Sequence, residues 1–197
     1  MRSVYIAGSL LIFALGCGSQ PPADSGRADP DFDRGPHVEP EVSPLLDKPA
    51  PGIEQELLSG DQFSLNDQKD KVVILDFWAT WCGPCVRELP IVAHVAEEYR
   101  DRGVALFCVN QREEADDIRE FLKRESLDVA VSLDVDGDAG EAYGVEGIPT
   151  LVVIDQAGVV RSVHVGYRPD IGDKLRTEID ALLATEQPTA ASEPEET

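Results

Sequence analysis

Four thiols stand in this sequence, at Cys17, Cys82, Cys85 and Cys108, and only two of them are close together. Those two lie in "ILDFWATWCGPCVRELP", Ile74 to Pro90, with Gly83 and Pro84 between them. A pair so spaced can hold a metal, staple a fold or exchange electrons. A structural zinc site needs four ligands, commonly a second such pair or paired histidines. No second pair exists, and His94 and His164 lack the close spacing, so no metal and no cofactor are expected. A disulfide closing a two-residue loop removes little entropy from the unfolded chain, which makes it a poor staple. Electron exchange accounts for the placement. At the junction of a buried strand and a helix, the first sulfur meets the exposed N–H groups and positive dipole end of the helix, which stabilise a thiolate. Cys82 is therefore the expected nucleophile and Cys85, one turn further in, the resolving thiol. Pro84 suits the first turn of a helix.

The flanking pattern supplies the strand and the helix. "KVVILDFWA" is a continuous apolar run, as in a strand buried on both faces. From Cys85 to Arg102, Leu89, Val92, Ala93, Val95, Ala96 and Tyr99 form an apolar helical face. "GVALFCVN" reads as a second buried strand, in which Cys108 is a small buried hydrophobe. A helix is expected over "EEADDIREFLKRES", and strands over "QFSLN", "VAVSLD" and "TLVVID". The Asp155–Gly158 turn leads into "VVRSVHVG", and Ile171 to Thr185 makes a closing amphipathic helix. "DVDGDAGEA", from Asp134 to Ala142, lacks the ligand spacing of a calcium loop and reads as a polar turn leading into a helix. Alternating strands and helices that end in a hairpin and helix imply an α/β fold, a central mixed sheet covered on both faces.

"DFWATWCGPC" resembles the thioredoxin active-site segment, and "YGVEGIPTLVVID" resembles the later stretch of that family that carries its cis-proline. More narrowly, the signal and tether described below, "CVRELP" and a helical segment before "GIPT" resemble the membrane-anchored, TlpA/ResA-type thioredoxin-like proteins. The resemblance implies a thioredoxin fold, a central mixed β-sheet flanked by helices, with an N-terminal strand extension and an inserted helix. It implies that Cys82 and Cys85 are the redox pair and that a cis bond joins Ile148 to Pro149, where backbone receives the substrate chain. Trp81 matches the exposed tryptophan of the motif, and Pro90 a proline within the helix. Asp76 matches a buried acid that relays the proton of the second cysteine. Glu88 matches a glutamate near the site in the ResA-type branch; the alternative, read from the residues alone, is a solvated helix charge.

The chain's 197 residues fit one domain with tails, and its 38 acidic against 17 basic residues, a formal net charge of -21, exclude a large phosphate-binding surface. Nucleic acid is not an expected partner. "MRSVYIAGSLLIFALGC" opens with an arginine and an apolar run too short for a comfortable membrane span. Its "ALGC" ending is similar to a bacterial lipoprotein signal. The expected organisation is a signal peptide over 1–16, a tether over 17–43 anchored by lipid on Cys17, a thioredoxin-like domain over 44–186 and an acidic tail over 187–197. The tether and tail are rich in Pro, Gly and acids and carry too few apolar residues to build a core.

These readings converge on a thiol-disulfide oxidoreductase in the cell envelope, at a periplasmic or other extracytoplasmic face. It is expected to be a monomer and to act on protein thiols and disulfides. The Gly-Pro dipeptide, shared with reducing thioredoxins, favours a reductase fed by a membrane thiol carrier, with apocytochrome c among the targets the resemblance implies. A disulfide oxidase or isomerase is the alternative direction. A thiol peroxidase would want Pro-x-x-x-Thr-x-x-Cys, but Thr80 is two residues before Cys82 rather than three. A peptide-binding module that keeps the fold without chemistry is the alternative of another class.

Overall fold

The computed structural model describes residues 43–185. Cys17, the segments 1–16 and 187–197 and all but the last residue of the tether lie outside them. Strand β1 (Glu54–Glu56) pairs antiparallel with β2 (Gln62–Ser64), which supplies the N-terminal strand extension. "QFSLN" is strand only as far as Ser64, because Leu65–Gln68 turn into a short 3-10 helix. The main sheet is built from β3 (Val72–Trp78), β4 (Val104–Gln111), β5 (Val131–Asp134), β6 (Thr150–Ile154) and β7 (Val160–Val165), in the order β5-β4-β3-β6-β7. β3, β4 and β5 run parallel, while β6 and β7 are antiparallel to their neighbours, so the sheet is mixed. β5 begins two residues later than "VAVSLD" suggests; pairing with β4 starts only at Cys108 and Val131.

The continuous apolar run of β3 has its physical reason here, since all seven residues are buried between two layers. On one face, Val72, Ile74, Leu151 and Val153 pack against helix α1 (Gly83–Tyr99) and helix α4 (Ile171–Thr185). On the other, Val73, Leu75, Phe77, Val152 and Ile154 meet Ile53, Phe63 and Tyr143. Helix α2 (Ala115–Glu125) turns Ile118 and Phe121 inward toward Trp78 and the cysteines. The short helix α3 (Asp138–Ala142) precedes the "GIPT" segment. Buried Asp134 accepts hydrogen bonds from the Ala139 and Gly140 N–H groups at 3.0 and 2.9 Å, which makes the acidic stretch a helix start.

α1 begins at Gly83, two residues before the apolar periodicity starts, because Cys82 serves as its N-cap. The helix continues through Pro90. It ends at Tyr99, a 3-10 turn covers Arg100–Arg102, and Gly103 then adopts φ 84°, a left-handed conformation that glycine takes without a Cβ clash. Among the described residues no helix is long and apolar enough to cross a membrane.

Registers place the reactive region at the carboxyl end of β3. Phe77 pairs with Thr150, so the residue before β6, Pro149, falls opposite Trp78 and beside the turn into α1. The same sheet must therefore be intact for the two motifs to meet. Leu75→Ala, which empties a fully buried site on the face away from α1, should cost about 2–5 kcal/mol. Urea unfolding followed by tryptophan fluorescence should show a lowered midpoint with an unchanged slope; a loss under about 1 kcal/mol would mean that this face contributes little.

Candidate active site

Cys82 and Cys85 are joined by a disulfide, with sulfurs 2.02 Å and Cα atoms 5.2 Å apart. Cys82 is the N-cap of α1, in extended backbone conformation, and its Sγ accepts a hydrogen bond from the Cys85 N–H at 3.2 Å. Pro84 occupies the first turn, where its missing N–H has no partner to lose. The other exposed N–H groups of that turn would stabilise negative charge on the same sulfur once the disulfide opens. Cys85, one turn in, is almost fully buried.

The two motifs separated in sequence are adjacent in space. The Ile148–Pro149 bond is cis, and the Ile148 carbonyl oxygen lies 3.7 Å from the Cys82 sulfur. Pro149 is buried and Ile148 half-buried. Trp81 is 71% exposed beside Cys82, whereas Trp78 is fully buried against Phe121. The site thus presents one sulfur, an indole ring and the backbone before Pro149 at its rim. A peptide carrying a disulfide would meet these groups first.

Glu113 holds this rim in place, and its position in the run Glu113, Glu114, Asp116, Asp117 gives no sign of it. Its carboxylate accepts hydrogen bonds from the Thr80 N–H at 2.7 Å, from the Thr80 hydroxyl, and from the Asn110 side-chain amide at 2.8 Å. The loop bearing Trp81 is thereby tied to the end of β4.

Two buried carboxyl groups stand on the elements that flank the cysteine pair. Asp76, in the middle of β3, is 1% exposed, and Glu88, on the sheet-facing stripe of α1 with Cys85, Leu89, Val92 and Val95, is 2% exposed. The solvated-charge reading of Glu88 is therefore excluded. Asp76 Oδ1 and Glu88 Oε2 are buried without a hydrogen-bond partner, a costly state for ionised carboxylates. Burial, and then the charge of Glu88, hold Asp76 well above the usual carboxylate range. Burial raises Glu88 to about 7, with the Arg168 backbone and the charge of His164 pulling the other way. Glu88 can thus take and return a proton near neutral pH. Cys108 pairs with Asp76 across β3 and β4, is fully buried and carries no disulfide. Burial and the charge of Asp76 push its thiol far up, so it stays protonated and inert.

Neither histidine weighed as a ligand approaches the cysteine pair through a bond. His94 pairs with Glu98 on the surface of α1. His164, on β7, meets Glu178 of α4.

Both carboxyl shifts are upward, so the folded state binds protons more tightly than the unfolded chain. The contribution of Glu88 is fully present below its ordinary value of 4.5 and is lost as pH rises through about 7. The oxidised protein should lose stability on the order of 3 kcal/mol from this group over that span. Glu88→Gln should flatten the dependence in urea unfolding at a series of pH values, leaving the slope due to Asp76; an unaltered slope would mean that Glu88 is ionised throughout.

Against known proteins, a family model described as Redoxin matches residues 45–183. The chain is 36% identical over 120 residues to the thioredoxin-like protein YneN of Bacillus subtilis, covering 59% of this chain and 69% of that one. It is 35% identical over 117 residues to the thiol-disulfide oxidoreductase ResA of the same organism, covering 59% and 65%. It therefore spans about two thirds of the length of these relatives. A crystal structure from Chlorobium tepidum, assigned as a thiol:disulfide interchange protein DsbE, is similar at a TM-score of 0.65 and 35% identity, over 70% of this chain and 99% of that one.

Proposed function

The chain belongs to the Redoxin family and is a thioredoxin-like, ResA-type protein-disulfide oxidoreductase, and on that premise we propose that it acts as a reductase outside the cytoplasm. The observation that carries the reading is the placement of Cys82: an N-cap sulfur, bonded to Cys85, bordered by the Ile148 carbonyl and exposed Trp81.

In the reduced protein, the Cys82 thiolate attacks one sulfur of a substrate disulfide. A bond forms between Cys82 and that sulfur, the substrate S–S bond breaks, and the leaving thiolate takes a proton from solvent. Cys85 then gives its proton to a buried carboxylate and attacks the Cys82 sulfur. The Cys82–Cys85 bond forms, the mixed disulfide breaks, and the second substrate thiolate leaves and is protonated. Two electrons pass from the dithiol to the substrate. Asp76 and Glu88 are the carboxyl groups assigned to this step; burial raises both, Glu88 to about 7, where it exchanges a proton near neutral pH. Trp81, Ile148 and Pro149 form the surface on which the substrate chain lies.

Direction rests on the Gly83-Pro84 dipeptide, shared with reducing thioredoxins. An extracytoplasmic place rests on the signal-like start and on Cys17 as its lipid-bearing residue. An oxidising compartment supplies no soluble reductant, so a membrane thiol carrier would return the electrons. Targets are protein disulfides that must be opened, the cysteines of apocytochrome c among them.

The reduction potential, titrated in a thiol buffer with Trp78 and Trp81 fluorescence, should fall near roughly -270 mV; a value near roughly -120 mV would make the protein an oxidant and reverse the proposed direction. Cys85→Ser should accumulate mixed disulfides through Cys82 that are cleaved by dithiothreitol, and Cys82→Ser should accumulate none. Equal trapping by both variants would remove the assignment of Cys82 as nucleophile.

A further inference from the structure

Asn110 is a buried polar residue that the mechanism does not use. It is the last residue but one of β4, is 1% exposed, and pairs with Trp78 on one side and Leu133 on the other. Its Nδ2 donates to Glu113 Oε2 at 2.8 Å, while its Oδ1 is buried without a hydrogen-bond partner among the described residues. A core amide so placed costs stability that an apolar residue of the same size would not. What the amide provides is its bond to Glu113, so its use lies where Glu113 leads.

Glu113 leads to the turn before the nucleophile. Ala79 to Cys82 form a reverse turn, closed by the Cys82 N–H donating to the Ala79 carbonyl at 3.1 Å, with Thr80 and Trp81 at its centre. The two ends are held by other parts of the fold: Ala79 is buried in the cluster with Trp78 and Phe121, and Cys82 caps α1. The centre is held by Glu113, whose Oε2 accepts the Thr80 N–H at 2.7 Å and whose Oε1 accepts the Thr80 hydroxyl. Backbone and side chain of one central residue are thus gripped by one carboxylate, and the bond from Asn110 fixes that carboxylate to the sheet. Trp81, the next residue, is oriented with Thr80.

The indole has another place to go. A cleft of about 350 Å³ opens on its α2 side, with Thr80, Asp117, Glu120 and Phe121 in its lining. Trp81 is 71% exposed, so its own packing does little to keep it out of that cleft. In the orientation set by Glu113 it stands beside Cys82, whose sulfur lies 3.7 Å from the Ile148 carbonyl oxygen. An extended chain crossing that carbonyl needs ring and sulfur together. A small disulfide needs only the sulfur, which is held from the helix side through the Cys85 N–H.

We propose that Glu113, anchored by Asn110, is a positioning residue of the redox reaction: it fixes Trp81 as a wall of the substrate groove and so selects disulfides carried on an extended polypeptide over small-molecule disulfides. Glu113 moves no electron and no proton in this role. The inference rests on the reading of Cys82 as nucleophile and of Trp81 as substrate surface.

The test compares the rates at which the reduced full chain opens a short synthetic peptide with an internal disulfide and hydroxyethyl disulfide, with the oxidised fraction read by alkylation and mass spectrometry. The readout is the ratio of the two rates, which a general loss of folded protein does not move. Glu113→Ala should lower it roughly tenfold or more, a loss that a misplacement of about 1 Å can produce, and Trp81→Ala should lower it as far. Asn110→Leu should lower the ratio while leaving the urea midpoint unchanged or raised, an opposition that a merely structural amide would not give. Thr80→Ser, which keeps the hydroxyl, should hold the wild-type ratio, and Thr80→Val should lose part of it. A wild-type ratio in Glu113→Ala beside a lowered one in Trp81→Ala would overturn the role of Glu113 and leave the indole as substrate surface. A wild-type ratio in Trp81→Ala would remove that reading of Trp81 and the inference with it. Should Glu113→Ala fail to fold, Thr80→Val decides: a lowered ratio supports the role of Glu113 and a wild-type ratio overturns it.

Discussion

The N–H groups at the start of α1 have no partners within the helix, and one cysteine sulfur is placed to use them. Cys82 caps the helix through its own side chain, so the atom that satisfies a backbone donor in the resting protein is also the atom proposed to attack a disulfide. A thiolate there gains from the helix terminus only if the terminus is held still and shielded on one side. The rest of the fold meets that requirement. The seven buried residues of β3 fix where the chain enters the turn, and the stripe of Leu89, Val92, Val95, Ala96 and Tyr99 presses the helix onto the sheet.

That same stripe contains an acid where a hydrophobe would pack without cost. Glu88 sits between Cys85 and Val92 on the buried face, with Asp76 below it in the sheet. Desolvation disfavours the charged form of both, and the charge of Glu88 further disfavours that of Asp76. The arrangement costs stability as pH rises and makes proton exchange available where the resolving thiol lies. Strain of this kind between stability and chemistry is expected at a working site.

The outer rim is organised by different forces. Trp81 is exposed between buried Ala79 and Cys82, and its loop is further tied down because Glu113 accepts three hydrogen bonds from Thr80 and Asn110. One carboxylate thus joins the turn before the cysteines to the end of β4. The indole and the backbone before Pro149 then flank the sulfur from two sides, a surface suited to an extended chain.

Much of this was legible in the sequence, for local reasons. The spacing of Cys82 and Cys85 named the chemistry, the unbroken apolar run before them named a strand buried on both faces, and the periodicity after them named a helix. The cysteine pair and the Gly-Ile-Pro-Thr segment together pointed to the fold. What periodicity could not say was which acids turn inward. Glu88 read as a site acid with a solvated charge as the alternative, and Glu113 was one of several acids in a run. Their placement depends on tertiary facts: the packing of α1 onto the sheet, which buries Glu88, and the meeting of the Thr80 turn with the end of β4, which engages Glu113. Hydrophobic pattern and cysteine spacing act within a turn or a strand and so are written locally. Burial of a carboxyl group and the meeting of Glu113 with Thr80 are set by the register of strands far apart in the chain, and only the assembled sheet decides them.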